Sequence, residues 1–224
     1  MDIFTRQKQV IGLDAHKRLL DAKVTIVGLG GLGSVVAHLL TRMGVGTLIL
    51  QDFDFVADHN LNRQHLYTVK DIGSSKAQTL SKKIKEINPK IKCVVKEKII
   101  KSKEDLIASD IIVDCTDNHA VRLLIDKFCF ENKLAWIHGA AIAEAGSVYF
   151  FNPKNNIRYK NIYPKGTSEK TCSEEGVLIT ITTLVGTIQA ELVMDYLIGR
   201  KVCSEFIRIR SDDLSIEKIT ITNS

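Results

Sequence analysis

Residues 24–54 read VTIVGLGGLGSVVAHLLTRMGVGTLILQDFD. An apolar run, Val24 to Val27, enters a glycine cluster at Gly28, Gly30, Gly31 and Gly33. A helical pattern follows from Ser34 to Met43, and Gly44 stops it. A second apolar run, Leu48 to Leu50, ends at Asp52-Phe53-Asp54. The order is strand, loop, helix, strand, acid. Gly28 permits a tight turn, Gly30 lets the backbone approach a phosphate, and Gly33 lets the helix pack close to the strand. The free N–H groups and positive dipole end of the helix are offered to an anion. Asp52 stands 19 residues beyond Gly33, at the carboxyl end of the second strand, where a ribose hydroxyl would sit. The stretch predicts a nucleotide site and leaves the nucleotide open.

Composition narrows the surroundings. The 224 residues are 45% apolar and 25% charged, which suits one globular α/β domain covered by helices. The net charge of +5 owes much to lysines between Lys82 and Lys103. No aromatic residue interleaves with them, so they read as a solvated face and no DNA partner is expected. Met1 to Lys23 lacks the apolar core of a signal peptide. The longest uncharged apolar stretch, Val177 to Ala190, is too short to span a membrane and holds four threonines. Cys93, Cys115, Cys129, Cys172 and Cys203 are scattered with no CxxC pair. A reduced, cytoplasmic protein without a cysteine-based zinc site is expected.

Outward from the glycine stretch, Met1 to Asp21 reads as one amphipathic helical lead-in anchored by Val10, Ile11, Leu13, Leu19 and Leu20. A long connection, Phe55 to Ser75, leaves the carboxyl edge of the predicted sheet and carries Asn60, Arg63 and Gln64. Arg63 is either a surface charge or a planar clamp on a phosphate. Ser74 or Ser75 caps the next helix, which places Lys76 in its first turn, where a lysine opposes the macrodipole unless an anion lies between. Strand Ile91 to Val95, a short helix Lys103 to Ala108 and a buried strand Asp110 to Asp114 follow. Asp117 and Asn118 open the helix to Asn132, and either can be its N-cap. Equally, Asp117 can hold a cation among phosphates. Leu134 to His138 continues the sheet, and Gly139-Ala140-Ala141 permits close backbone approach. From Gly146 strands follow one another without helices. A mobile, poorly anchored crossover loop, about 152–175, precedes a helix Val177 to Ile198, and two strands, Glu205 to Arg210 and Ile216 to Thr222, close the chain. Cys172 is a buried filler or an exposed nucleophile. The fold class predicted is α/β: a Rossmann-like, open, mostly parallel sheet with helices on both faces, extended by antiparallel C-terminal strands. Residues 1–145 form its nucleotide-binding part and 146–224 its extension.

Taken in order, Arg6-Gln7, Gly28 to Gly33, Asp52-Phe53-Asp54, Asn60 to Gln64, Gly73 to Lys76, Ile87-Asn88-Pro89, Asp114 to Asn118, Gly139 to Ala141 and Thr171-Cys172 with Gly176 resemble the ThiF/MoeB/HesA family, the prokaryotic relatives of ubiquitin-activating enzymes. The resemblance implies adenylation of the C-terminal glycine of a ubiquitin-like sulfur-carrier protein ending in Gly-Gly. It implies ATP held by Gly28, Gly30, Gly31, Gly33, Asp52, Asp54, Asn60, Arg63, Gln64, Lys76, Asp117 and Asn118, with Mg²⁺ on Asp117. It implies a homodimer in which Arg6 reaches the partner's site, and a cysteine at position 172 that in some members links to the carrier. Members often hold zinc through two CxxC pairs. Here Arg158-Tyr159-Lys160-Asn161 stands in the first place, so no structural zinc is expected. Three other readings compete: a relative acting on a tRNA-linked carboxylate, a nicotinamide-dependent oxidoreductase, and a non-catalytic nucleotide-binding partner.

Overall fold

In the computed structural model, residues 2–164 and 175–221 are described. Two helices, α1 (Thr5–Ile11) and α2 (Leu13–Asp21), lead into β1 (Lys23–Val27), α3 (Gly31–Met43) and β2 (Thr47–Gln51). Then come α4 (Lys76–Ile87), β3 (Lys92–Lys96), β4 (Ile111–Asp114), α5 (His119–Asn132), β5 (Ala135–Ile142) and β6 (Ala145–Phe151). A short α6 (Tyr159–Ile162), the long α7 (Ile179–Ile198), β7 (Phe206–Arg210) and β8 (Ile216–Ile219) complete the order.

The eight strands form one sheet in the order β3-β2-β1-β4-β5-β6-β7-β8. From β3 to β5 the pairing is parallel, with Val24 opposite Leu48 on one side and Ile111 on the other. From β5 to β8 it is antiparallel. Side chains alternate between faces along a strand. Val24, Ile26, Ile111, Val113, Ala135 and Ile137 therefore enter one core, under α2, α3, α4 and α7. Val27, Ile112, Trp136, Tyr149 and Phe151 enter a second, under α5 and α6. A strand buried on both faces has no polar side to show, which is why β1 and β4 read as unbroken apolar runs.

α7 is long and apolar enough to cross a membrane, but Ile181, Val185, Gln189 and Val193 are fully buried and it packs on α3 and β5. It is a core helix. Gly199, at φ 80°, ends it with a backbone N–H on Tyr196 O.

Four expectations need correction. The lead-in is two helices broken at Gly12 (φ 84°), and Val10 and Leu13 are exposed while Leu19 alone of the five is fully buried. α3 begins at Gly31 rather than Ser34. The stretch after Ser102 forms one 3-10 turn, Lys103–Asp105, in place of a helix to Ala108. The polar segment after Phe151 is well anchored as far as it is described. Tyr159 is fully buried among Trp136, Phe151 and Tyr163, its N–H donates to Asp126 Oδ1 at 3.0 Å, and Arg158 pairs with Asp126 Oδ2 at 2.7 Å. Arg158 also lies 4.0 Å from the Phe130 ring centre. These contacts tie the start of the crossover segment to α5, at the place of the first cysteine pair that the family resemblance implies for other members. Asp126→Ala is expected to remove the acceptor of the Tyr159 N–H and the ion pair to Arg158 and to cost about 2 kcal/mol, read as a melting temperature lower by about 4–8 °C.

Candidate functional site

The chain grows outward from β1 to β2 and β3, then returns to lay β4 on the other side of β1. That reversal opens a crevice at the carboxyl ends of β1 and β4, the place where open α/β sheets bind ligands. A cavity of about 640 Å³ lies there.

Its floor is the glycine loop. Gly28 has φ 84°, and a Cβ there would sit 2.8 Å from Cys115 O, so the loop fits against β4 only without a side chain. α3 starts without a side-chain cap and with no acid in its first turn. Its leading N–H groups and positive dipole end are therefore left for an anion. Asp52 braces the loop: Oδ2 accepts from Leu29 N at 2.6 Å and Oδ1 from Asp54 N at 2.8 Å. Burial pushes its carboxyl upward from the ordinary range, against the pull of these two N–H groups. Tyr67, which the sequence reading passed over, ties the loop to α4 by donating to Leu29 O at 3.0 Å and Lys76 O at 3.3 Å.

The charged wall comes from the long connection and from α4. Ser75 caps α4 by accepting from Gln78 N, which sets Lys76 as the first helical residue. The Lys76 ammonium is buried and meets Asp54 Oδ2 at 3.1 Å. Arg63 is held over the cavity by His59 O at 2.7 Å and Asn62 Oδ1 at 3.0 Å. Gln64 packs against the glycine loop with a buried Oε1 that has no partner among the described residues. Asn60 is turned inward to accept from Ala57 N, so it shapes the connection that presents Arg63.

On the far side of the crevice the two readings of Asp117 separate. Asn118 takes the N-cap of α5, accepting from Val121 N at 3.1 Å. Asp117 is thereby free of that duty, is exposed, and lines the cavity with Arg63 and Lys76. Among the described residues no group of three acidic, histidine or cysteine side chains could hold a metal. A lone carboxylate beside a phosphate site fits Mg²⁺, which takes one or two carboxylates and completes its shell with phosphate oxygens and water.

The cavity extends beyond the nucleotide motif at both ends. Ile99 and Ile100 line it near β3, and Ala140, Ala141, Ser147 and Tyr163 line it at β5 and β6. From β2 to β6 are four strand steps, about 19 Å at about 4.8 Å each. Ala140 and Ala141 belong to the Gly139–Ala141 motif; Ile99, Ile100, Ser147 and Tyr163 carry none and reach the cavity only through the sheet order.

Among the described residues of the predicted site, Gly33, Asn60 and Arg6 do not line this cavity. Arg6 is exposed on α1, which is tied by Gln7 to Met43 O, at the C-terminal end of α3. The glycine loop is at the other end of that 13-residue helix, about 18 Å away. Cys172 lies outside the described residues. Cys115 is at the crevice, but burial raises its thiol well above the ordinary range, which disfavours the nucleophilic thiolate.

A model of the ThiF family matches residues 4–224. Among curated proteins, a probable molybdopterin-synthase adenylyltransferase of Porphyra purpurea is 34% identical over 96% of the chain, which spans 58% of that protein's length. The molybdopterin-synthase adenylyltransferase of Escherichia coli K12 is 35% identical over 83% of the chain and 77% of its own length. The sulfur carrier protein ThiS adenylyltransferase of the same organism is 34% identical over 80% of the chain and 74% of its own length. Among solved structures, Escherichia coli MccB with ATP superposes with a TM-score of 0.87 at 22% identity, over the whole chain and 73% of MccB, and confirms the fold.

Proposed function

The chain belongs to the ThiF family, and from that premise we propose that it is an ATP-dependent adenylyltransferase that activates the C-terminal glycine of a ubiquitin-like sulfur-carrier protein. One observation carries the reading: Lys76, Arg63 and Asp117 line a single cavity whose floor is the glycine loop at the start of α3. A dinucleotide bound through its pyrophosphate would leave these three charges without a task. A triphosphate that must lose pyrophosphate uses them all. Relatives named as adenylyltransferases for ThiS and for molybdopterin synthase support the same substrate class.

The chemistry needs placement more than proton transfer. A substrate carboxylate oxygen attacks the α-phosphorus of ATP, the bond to the bridging oxygen breaks, and pyrophosphate leaves. The nucleophile is already ionised, so no general base is required. Lys76 and Arg63 neutralise charge that builds on the leaving group, in a site where they are fixed in advance. Mg²⁺ held by Asp117 would supply further neutralisation of the phosphates when bound. Asp52 would share its remaining acceptor capacity with the ribose. The described cysteines are free thiols, in keeping with the cytoplasm.

Arg6 acts in a second subunit. Ile3, Val10 and Leu13 are exposed beside it, an apolar surface that suits burial between two copies of the chain.

ATP–pyrophosphate exchange against a panel of carriers ending in Gly-Gly is the test. Exchange that depends on the carrier is expected, and no exchange with any of them overturns the reading. Mixing Arg6→Ala chains with Lys76→Ala chains is expected to restore exchange that each lacks alone. Failure to restore it would place Arg6 outside the partner's site.

A further inference from the structure

Helix α1 carries Arg6, and few contacts attach it to the rest of the chain. It buries no residue fully, and Ile11 at its far end reaches the core only in part. At its near end stand Phe4 and Gln7. The Gln7 amide nitrogen donates to Met43 O at 2.6 Å and lies 3.4 Å from His16 Nδ1. The Phe4 ring rests against the His16 ring, with centroids 4.7 Å apart. Gly44, at φ 88°, closes the place from the end of α3: a Cβ there would stand 3.0 Å from both His16 Cε1 and Phe4 Cε1.

Met43 is the last residue of α3, and its carbonyl is one of those that a helix leaves without an internal partner. Gln7 fills it with one amide N–H. The other amide N–H is left for His16 Nδ1, which is then the accepting nitrogen, and in a neutral ring the proton sits on Nε2. Burial, with Lys8 beside it, holds the pKa of His16 below the ordinary value against the pull of Asp2, so the ring is neutral. Nε2 is buried and has no hydrogen-bond partner among the described residues. A buried unpaired N–H is a cost to the fold. The ring bears that cost in the orientation that grips Gln7.

We infer that Gln7, held between Met43 O and His16 Nδ1, is a positioning residue that sets α1 on the end of α3 and so fixes where Arg6 stands when it enters the partner's site. This rests on the reading that Arg6 acts in a second subunit. Arg6 directly precedes Gln7, is exposed, and lies about 18 Å from the glycine loop of its own chain. Gln7 lines no part of its own chain's cavity, so it acts on the reaction only through its neighbour. A displacement of about 1 Å in an element that places a charge can lower a rate about 100-fold. A long side chain on a short helix without a fully buried residue is placed well only if the helix itself is tied down, and Gln7 ties it.

The test is carrier-dependent ATP–pyrophosphate exchange with Gln7→Met, Arg6→Ala and Lys76→Ala chains, alone and mixed. Gln7→Met keeps the length of the side chain and removes both N–H groups. It is expected to lower exchange about tenfold. Its melting should stay within a few degrees of wild type, since α1 covers little of the core. Mixing it with Lys76→Ala is expected to raise exchange severalfold per Gln7→Met chain, because the Lys76→Ala chain lends a well-placed Arg6. Mixing it with Arg6→Ala should raise nothing. A chain with both Arg6→Ala and Gln7→Met should be no worse than Arg6→Ala alone, whereas a general weakening of the fold would add to the loss. Exchange in Gln7→Met within about twofold of wild type overturns the inference. So does a failure of Lys76→Ala to restore it, or a further loss in the double variant. These results leave the partner role of Arg6 standing wherever Lys76→Ala restores Arg6→Ala. If it does not, that role falls and the inference with it, while exchange by the wild type still upholds adenylation.

Discussion

Lys76→Ala is expected to lower carrier-dependent ATP–pyrophosphate exchange by about 100- to 1,000-fold, the usual cost of losing one preorganised charge that acts on a leaving group. Three observations set the size. Lys76 is buried, so its charge is poorly screened. It is the first residue of α4, fixed by the Ser75 cap, so little rearrangement is needed when a phosphate arrives. Its only described ionic partner, Asp54, is half exposed and can turn to water. That last point separates function from folding. Removing Lys76 takes a nearby positive charge from the buried Asp52, which keeps its Leu29 and Asp54 N–H donors, and the loss of the half-exposed ion pair to Asp54 costs within about 1 kcal/mol. Melting should change by no more than a few degrees while exchange collapses. Lys76→Arg should not restore it, since a broad planar head cannot occupy a slot built for a compact ammonium. Exchange in Lys76→Ala within about tenfold of wild type would remove Lys76 from the mechanism.

The division between what the residues announce and what only the sheet reveals follows the range of the interactions. The glycine loop, β1, β2 and α7 are set by local periodicity and by what a side chain forbids. They could be read directly. The Ser75 and Asn118 caps are also local, and capping by Asn118 is what releases Asp117 for a ligand. The beginning of α3 is not legible in the sequence because two glycines in its first three positions, Gly31 and Gly33, argue against a helix on propensity alone. Packing against Cys115 and Gly28 overrides that preference. The two-helix lead-in was misread for a related reason. Val10 and Leu13 look like core anchors in one continuous helix, but the positive φ at Gly12 turns them outward. Tyr159, Tyr163 and His138 belong to another class. Their partners, Asp126, Trp136 and Asp114, lie some 20 to 50 residues away in sequence, so no periodicity joins them. They meet because β5 lies beside β4 and the crossover segment packs across both.

Gly33→Ala is expected to remove nucleotide binding and to lower the melting temperature by about 6–12 °C, from a loss of about 3 kcal/mol. The reason is a contact between main chains. A Cβ on Gly33 would lie 1.9 Å from Gly28 O and 2.9 Å from Gly28 C, with Cys115 Cβ at 3.4 Å behind them. No rotamer can relieve it. Either α3 slides away from β1 or the turn at Gly28 opens, and Gly28 cannot move towards Cys115 O. The N-terminus of α3 then no longer faces the crevice, so the anion site and the local packing are lost together. Gly30→Ala separates the two. Its Cβ would meet nothing nearer than Gln64 Nε2 at 3.5 Å, an ordinary contact. That variant should melt close to wild type, yet bind ATP weakly, because a methyl group would stand where a phosphate must approach the backbone. If Gly33→Ala melts like wild type, the close contact of α3 with the Gly28 turn is not a condition of the fold. If Gly30→Ala also binds ATP normally, the glycine loop packs the domain without cradling phosphate. Measured by thermal melting with and without ATP, the pair distinguishes a glycine that the fold requires from one that the ligand requires.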